Sequence, residues 1–201
     1  MSHSWLRTML LIMLFGVPLF AQDSKPELSK TPLSADQIAV YRTFLASYDN
    51  GSDGILNLGD RTTQLDFTSP RNDVSGSKCL EGVTLEHPQD AITVIHRFEP
   101  NSFDGNRVRL VDAEKQHRLI REHDPSFAMG QGRSAEDAVG AAFASGLLQF
   151  SEVIFDAKHE YAVMSFSFVC GGLCGHGGVV VFQKVDGVWK QLNRPCSQWI
   201  S

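Results

Sequence analysis

Between residues 147 and 192 four runs rich in β-branched and aromatic residues follow one another, at 147–155, 161–170, 179–184 and 188–192. The segments joining them are short: 156–160, a cysteine–glycine stretch, and Val185-Asp186-Gly187, whose Asp-Gly pair favours a hairpin turn. A parallel crossover needs about a dozen residues or more, so these runs must pair antiparallel, as a meander. Along 161–168, Ala162, Met164, Phe166 and Phe168 alternate with Val163, Ser165 and Ser167. One face of that strand is therefore strongly apolar and predicted to pack on helices.

Helix signals lie upstream. Ser34-Ala-Asp-Gln37 has the capping-box pattern, and Ile38, Tyr41, Phe44, Leu45 and Tyr48 recur at helical spacing behind it. This predicts an amphipathic helix over 35–48, ended by Asn50-Gly51 and Asp53-Gly54. Ser134 caps a second over 135–145, with Ala138, Val139, Ala142 and Phe143 as its apolar face and Gly146 as its stop. A short polar helix over 114–122 is capped by Asp112 and stops before Pro125. Weaker patterns predict strands at 55–58, 64–67, 83–85, 91–98 and 107–111, with a loop at 68–78. The expectation is one α+β domain over 34–201, its C-terminal antiparallel β-meander packed against one or two amphipathic helices.

Residues 1–21 read as a signal peptide. Arg7 is the only Lys or Arg before Lys25, an apolar run from Met9 to Phe20 follows, and Ala21 is the small residue at which a signal peptidase would cut. The run is short against the ~20 apolar residues of a membrane span, and Pro18 interrupts it. Retention as an anchor is the alternative. No cysteine stands at the cut for a lipoprotein anchor. Removing Arg7 from the 18 basic residues leaves 17 against 23 acidic ones. With no basic run, such a chain has no electrostatic footprint for nucleic acid and no polybasic hold on a membrane. Residues 22–33, with Pro26 and Pro32 among polar residues, read as a disordered leader. A periplasmic or extracellular location follows, without stable membrane insertion after cleavage.

The stretch 168–178, Phe-Val-Cys-Gly-Gly-Leu-Cys-Gly-His-Gly-Gly, is read as a loop between strands. All four cysteines, Cys79, Cys170, Cys174 and Cys196, lie beyond the signal. An even count in an oxidising compartment argues for disulfides, with three connectivities open. Gly171 and Gly172 allow a turn tight enough to bridge Cys170 to Cys174, which would leave Cys79 for Cys196. Two other chemistries compete. Cys170, Cys174 and His176 have zinc-like spacing but lack a fourth ligand, and oxidation opposes thiolate. The cysteines could also exchange thiols, although the spacing is not Cys-x-x-Cys and no helix start activates them. Gly171, Gly172, Gly175 and His176 form the candidate loop site for a partner. No Gly-x-Ser-x-Gly elbow accompanies His176, and neither the lysine nor the helix of a phosphate-binding loop follows.

Three segments resemble a known family: Ser-Glu-Val-Ile-Phe-Asp-Ala-Lys-His-Glu-Tyr-Ala-Val at 151–163, Cys-Gly-Gly-Leu-Cys-Gly at 170–175, and Lys-Val-Asp-Gly-Val-Trp-Lys at 184–190. Together they resemble an uncharacterised family of exported bacterial proteins with a C-terminal CGxLCG loop and a K-x-x-G-x-W hairpin. The resemblance spans about residues 135–201. It implies the hairpin architecture and export, and brings no activity with it.

Asp49, Asp53, Asn57 and Asp60 fall at calcium-loop spacing after the first helix, but Gly51 replaces a ligand and a plain helix stop explains the same residues. His87, His96, His117, His123 and His159 show no shared spacing. Glu152 and Asp156 read as solvated residues flanking a strand, and Trp189 and Trp199 as core anchors. The sequence thus points to a non-catalytic binding or envelope-associated domain without a cofactor, its partner an unknown protein or small ligand of the cell envelope. A secreted hydrolase or thiol–disulfide enzyme is the alternative.

Overall fold

The computed structural model of the chain describes residues 25–49, 54–194 and 196–201. Residues 1–21, expected from sequence to be a signal peptide, the expected helix stop at Asn50-Gly51 and the candidate calcium ligand Asp53 lie outside the described residues. The elements begin β1 (Glu27–Leu28), α1 (Ala35–Ser47), β2 (Leu56–Gly59), α2 (Asp90–Thr93), β3 (Val94–Ile95) and β4 (Val108–Val111). Helices α3 (Ala113–Glu122), α4 (Pro125–Gly130) and α5 (Ala135–Ser145) follow. Then come β5 (Leu147–Phe150), β6 (Ile154–Phe155), β7 (Tyr161–Gly171), β8 (Cys174–Val185), β9 (Val188–Gln191) and β10 (Gln198–Ile200).

The helices start where their caps predict. The Ser34 hydroxyl accepts from the Gln37 amide while the Gln37 side chain accepts from the Ser34 amide, so two orphan donors of the first turn are satisfied. Asp112 caps α3 through the Lys115 amide, and Ser134 caps α5 through that of Asp137. Gly146 is the C-cap of α5, and its lack of a side chain makes room for the Phe168 ring, which a Cβ there would overlap.

The main sheet has the order β10-β8-β7-β5-β2-β4, with β6 also on β7 and β9 on β8. Strands β5, β7, β8 and β9 form the antiparallel meander. At its other end the sheet is mixed, because β2 runs parallel to both β4 and β5 and the three helices α3 to α5 carry the chain between those two.

Each face of the meander has its own core. Ala162, Met164, Phe168, Phe182 and Trp189 cluster with Val40, Tyr41, Phe44 and Leu45 of α1 and Ala142 of α5. Val163, Val179, Val181 and Ile154 cluster instead with Leu65, Cys79 and Ala91 from the long middle segment. The face carrying Ser165 is therefore covered as well, which alternation alone does not reveal; Ser165 is buried, and its amide donates to the Ser151 hydroxyl. The Cys79–Cys196 disulfide fastens this covering segment to the C-terminal tail.

Several local expectations change in the fold. Residues 91–98 hold most of a single helical turn, α2, before the two residues of β3; the Ile92 and Val94 amides close it onto the Gln89 and Asp90 carbonyls. Residues 64–67 are not a strand. The run 147–155 breaks at 151–153, where Tyr41 Oη donates to the Ser151 carbonyl at 2.7 Å. Val139 is exposed, leaving Ala138 and Ala142 as the buried face of α5. Within the leader expected to be disordered, β1 pairs in parallel with β3, and the Ser29 amide extends the pairing to Ile95.

Candidate functional site: a histidine-lined cleft

Cys170 and Cys174 are joined by a disulfide, with Cα atoms 5.1 Å apart, so neither sulfur is a thiolate for zinc. The turn between them is held by Asp124, whose Oδ2 accepts from the Gly172 amide at 2.7 Å. That N–H, first among several donors, keeps the Asp124 carboxyl below the usual carboxylate range. The loop itself is shorter than expected: β8 begins at Cys174, and Gly175 to Gly178 are strand residues paired with β7.

The glycines have a packing role. Trp199 of β10 pairs with Gly177, where a Cβ would lie 2.7 Å from the indole and against the Phe166 carbonyl. At Gly175 the nearest atoms would be the Phe168 carbonyl at 2.9 Å and the Ser201 hydroxyl at 3.1 Å. The C-terminal strand can approach this closely only because β8 has no side chains there. Arg71 covers the other side of Trp199, 4.3 Å from the ring centroid. His176 is not a solvated tip residue. It points to the helix face, half-buried, with Nε2 3.1 Å from Tyr48 Oη and the Phe168 ring 5.6 Å away. Burial lowers its pKa and raises that of Tyr48, so the contact is between two neutral rings near neutral pH.

The calcium spacing is also absorbed by the fold. Asn57 is buried on β2, where its amide donates to the Ala144 and Gly146 carbonyls and its oxygen accepts from Arg109. The Asp60 carboxylate pairs with Arg61 and Arg97. In these two residues the side-chain oxygens serve the sheet and its rim.

A different set of residues converges on the helix side of the middle segment. His96 follows β3, and its Nδ1 lies 2.9 Å from Glu152 Oε1, although 56 positions separate the two in sequence. The same carboxylate oxygen accepts from the Thr62 hydroxyl, and that hydroxyl oxygen accepts from the His96 amide at 2.7 Å. Glu152 is 5 % exposed, so a buried carboxylate is matched by two side-chain donors at the break between β5 and β6. Burial first, and the nearby Glu152 charge second, push the pKa of the adjacent Tyr41 phenol well above its usual value.

His96 and Glu152 form the floor of a cleft of about 330 Å³. His87 and His159 stand on its rim with Glu86 and Asp90, against a wall of Val94, Val153, Ile154 and Phe155. His159 stacks on Phe155 with ring centroids 4.7 Å apart. Both rim histidines adopt left-handed backbone, at φ +46° and +53°, a conformation that costs a side-chain-bearing residue roughly 1 kcal/mol or more. His117 lies on α3 and His123 at its end, and neither lines the cleft.

Two sequence readings are corrected here. Glu152 is buried and paired rather than solvated. Asp156 is buried too, but as the centre of a turn, accepting from the amides of Glu160 and Tyr161. Trp189 is a core anchor, donating to Asp36, whereas Trp199 lies partly exposed on the glycine strand. No known protein family, curated protein or solved structure matches the chain.

Proposed function

We propose that this is an exported, non-catalytic binding domain of the cell envelope, periplasmic or extracellular, and that the histidine-lined cleft holds its ligand. The observation that carries this is the Thr62–Glu152–His96 network, which ties up Nδ1 of a cleft-floor imidazole and leaves Nε2 without a hydrogen-bond partner among the described residues. Backbone strain at both rim histidines adds support, since strained residues collect at ligand sites. Export is supported by two disulfides, which persist in oxidising compartments, and by the signal-like pattern of residues 1–21. The resemblance of 135–201 to exported bacterial proteins points the same way.

Glu86, Asp90 and Glu152 line the cleft and, among the described residues, no Lys or Arg does, so the ligand is a small organic cation with an apolar part, a protonated amine. His96 Nε2 accepts one ammonium proton, and the Val94–Phe155 wall takes the apolar portion. The Thr62 hydroxyl donates to a carboxylate rather than to an imidazole, and among the described residues no Ser, Cys or Lys lines the cleft to act as a nucleophile. Histidine ring resonances followed during titration with phenethylamine test this, with phenylacetate as control. Shifts at His87, His96 and His159 are expected with the amine alone, weakened about tenfold by Glu86→Gln combined with Asp90→Asn. Equal shifts with phenylacetate, or none with either, refute the reading.

One observation favours a hydrolase instead: a carboxylate on Nδ1 orients His96 as a base for water. Hydrolysis of p-nitrophenyl acetate that is lost in His96→Gln would establish it. A thiol–disulfide role has less support, because Cys170 is buried and the nearby Asp124 carboxylate disfavours thiolate.

A further inference from the structure

We infer that a second cleft, at the C-terminal end of α1, binds an amphiphilic carboxylate: Arg42 and Arg107 take its head and an apolar floor takes its tail. The cleft has a volume of about 450 Å³, within the range of small-molecule sites. Leu45, Leu56 and Val108 form its floor and are each buried, and Phe103 adds an aromatic wall. Both guanidinium groups are held by backbone rather than by acids. Arg42 Nε donates to the Ser102 carbonyl at 2.8 Å, and Arg107 Nη2 to that of Leu45 at 3.4 Å.

Among the described residues no carboxylate lies within ion-pair distance of either arginine. Asp104 lines the same cleft as well, its Oδ1 accepting from the Asn106 amide. Each guanidinium group spends one N–H on a carbonyl and keeps others for a ligand beside the apolar floor of the same cleft. Such a fork matches a carboxylate, whose two oxygens accept from several N–H groups at once. The adjoining Leu45, Leu56 and Val108 side chains, members of the main core, present apolar surface to the cleft. An anionic head meets the two arginines, and an apolar tail meets the floor. The ligand therefore carries both. This site shares no lining residue with the histidine cleft and prefers the opposite charge.

Calorimetry with octanoate, octylamine and acetate, beside arginine Nε–Hε NMR spectra of the full chain, tests the inference. Octanoate is expected to bind and to shift the Arg42 and Arg107 signals while the His87 and His159 rings stay unmoved. Acetate should bind at least about tenfold more weakly and octylamine not at this cleft. Arg42→Gln and Arg107→Gln should each weaken octanoate by about tenfold, the scale of one charge-assisted hydrogen bond. Ala46→Phe, at an exposed lining position that keeps both arginines, should block the cleft without lowering the melting temperature. Unchanged octanoate affinity in Ala46→Phe, octylamine binding as tightly as octanoate, or unmoved arginine signals would each overturn it.

Discussion

The two disulfides allow a direct comparison of how a cross-link stabilises this fold. Cys79–Cys196 closes a loop across 117 positions, and Cys170–Cys174 closes one across four. In the chain-entropy description a bridge acts by restricting the unfolded chain, as the logarithm of loop length. For these spans it contributes about 5 kcal/mol for the long loop and about 2 for the short one. Each bridge contains a buried sulfur, Cys79 at 0 % and Cys170 at 1 % exposure, so the loss of packing on truncation is similar and largely cancels between them. The difference of about 3 kcal/mol therefore belongs to loop length. Paired Cys→Ala variants of each bridge, unfolded in urea and compared with the parent, read this out. With a slope of about 2 kcal/mol/M, the midpoint should fall by roughly 2.5 M without Cys79–Cys196 and by 1 M without Cys170–Cys174. Equal shifts, or a larger one for the short loop, would show that the bridges act through native contacts and that the entropic account fails here.

Three further outcomes follow from particular contacts. Gly177→Ala sets a methyl against the Phe166 carbonyl and the Trp199 indole and should cost about 1–3 kcal/mol, whereas Gly140→Ala, in α5 with open space around it, should gain about 0.5–1 kcal/mol; thermal unfolding distinguishes the signs. Because burial lowers the His176 pKa below 6.5, the unfolded chain binds more protons between the two values, so stability falls as pH drops from 6.5 through the folded value. Melting temperatures from neutral pH to pH about 5 should decline less in His176→Gln than in the parent, and parallel curves would refute the assignment. His96→Ala removes a donor from the buried Glu152 carboxylate and should cost roughly 1–3 kcal/mol, while Glu152→Gln, which keeps an acceptor for Nδ1–H, should cost less in chemical denaturation.

Signals that act over a few residues were legible in the chain. Ser34, Asp112 and Ser134 are caps because a hydroxyl or carboxylate reaches an amide two or three residues on, whatever the rest of the chain does. The meander was legible because connections as short as Asp186-Gly187 leave antiparallel pairing as the only geometry. The strand propensity of 91–98 was overridden by local turn bonds, Asp90 to His87, Ile92 to Gln89 and Val94 to Asp90, which β-branched composition does not announce. The parallel pairing of β2 with β4 and β5 has no local signature either.

The candidate sites divide along the same line. Sequence alone singled out the Cys170–Gly178 stretch, because cysteine and glycine are rare in such density, and it pointed to the right bridge through the tightness of the turn. Only the tertiary structure decided what the glycines are for. Their missing side chains are read by Trp199, some twenty positions later, which needs the space above β8. Likewise His96 and Glu152 are ordinary residues in isolation and become a buried acid–imidazole pair only when β3 and the β5–β6 break are folded side by side. Caps, turns and alternation are determined by neighbours along the chain, whereas burial, charge pairing and clefts arise from residues that the chain separates and packing brings together.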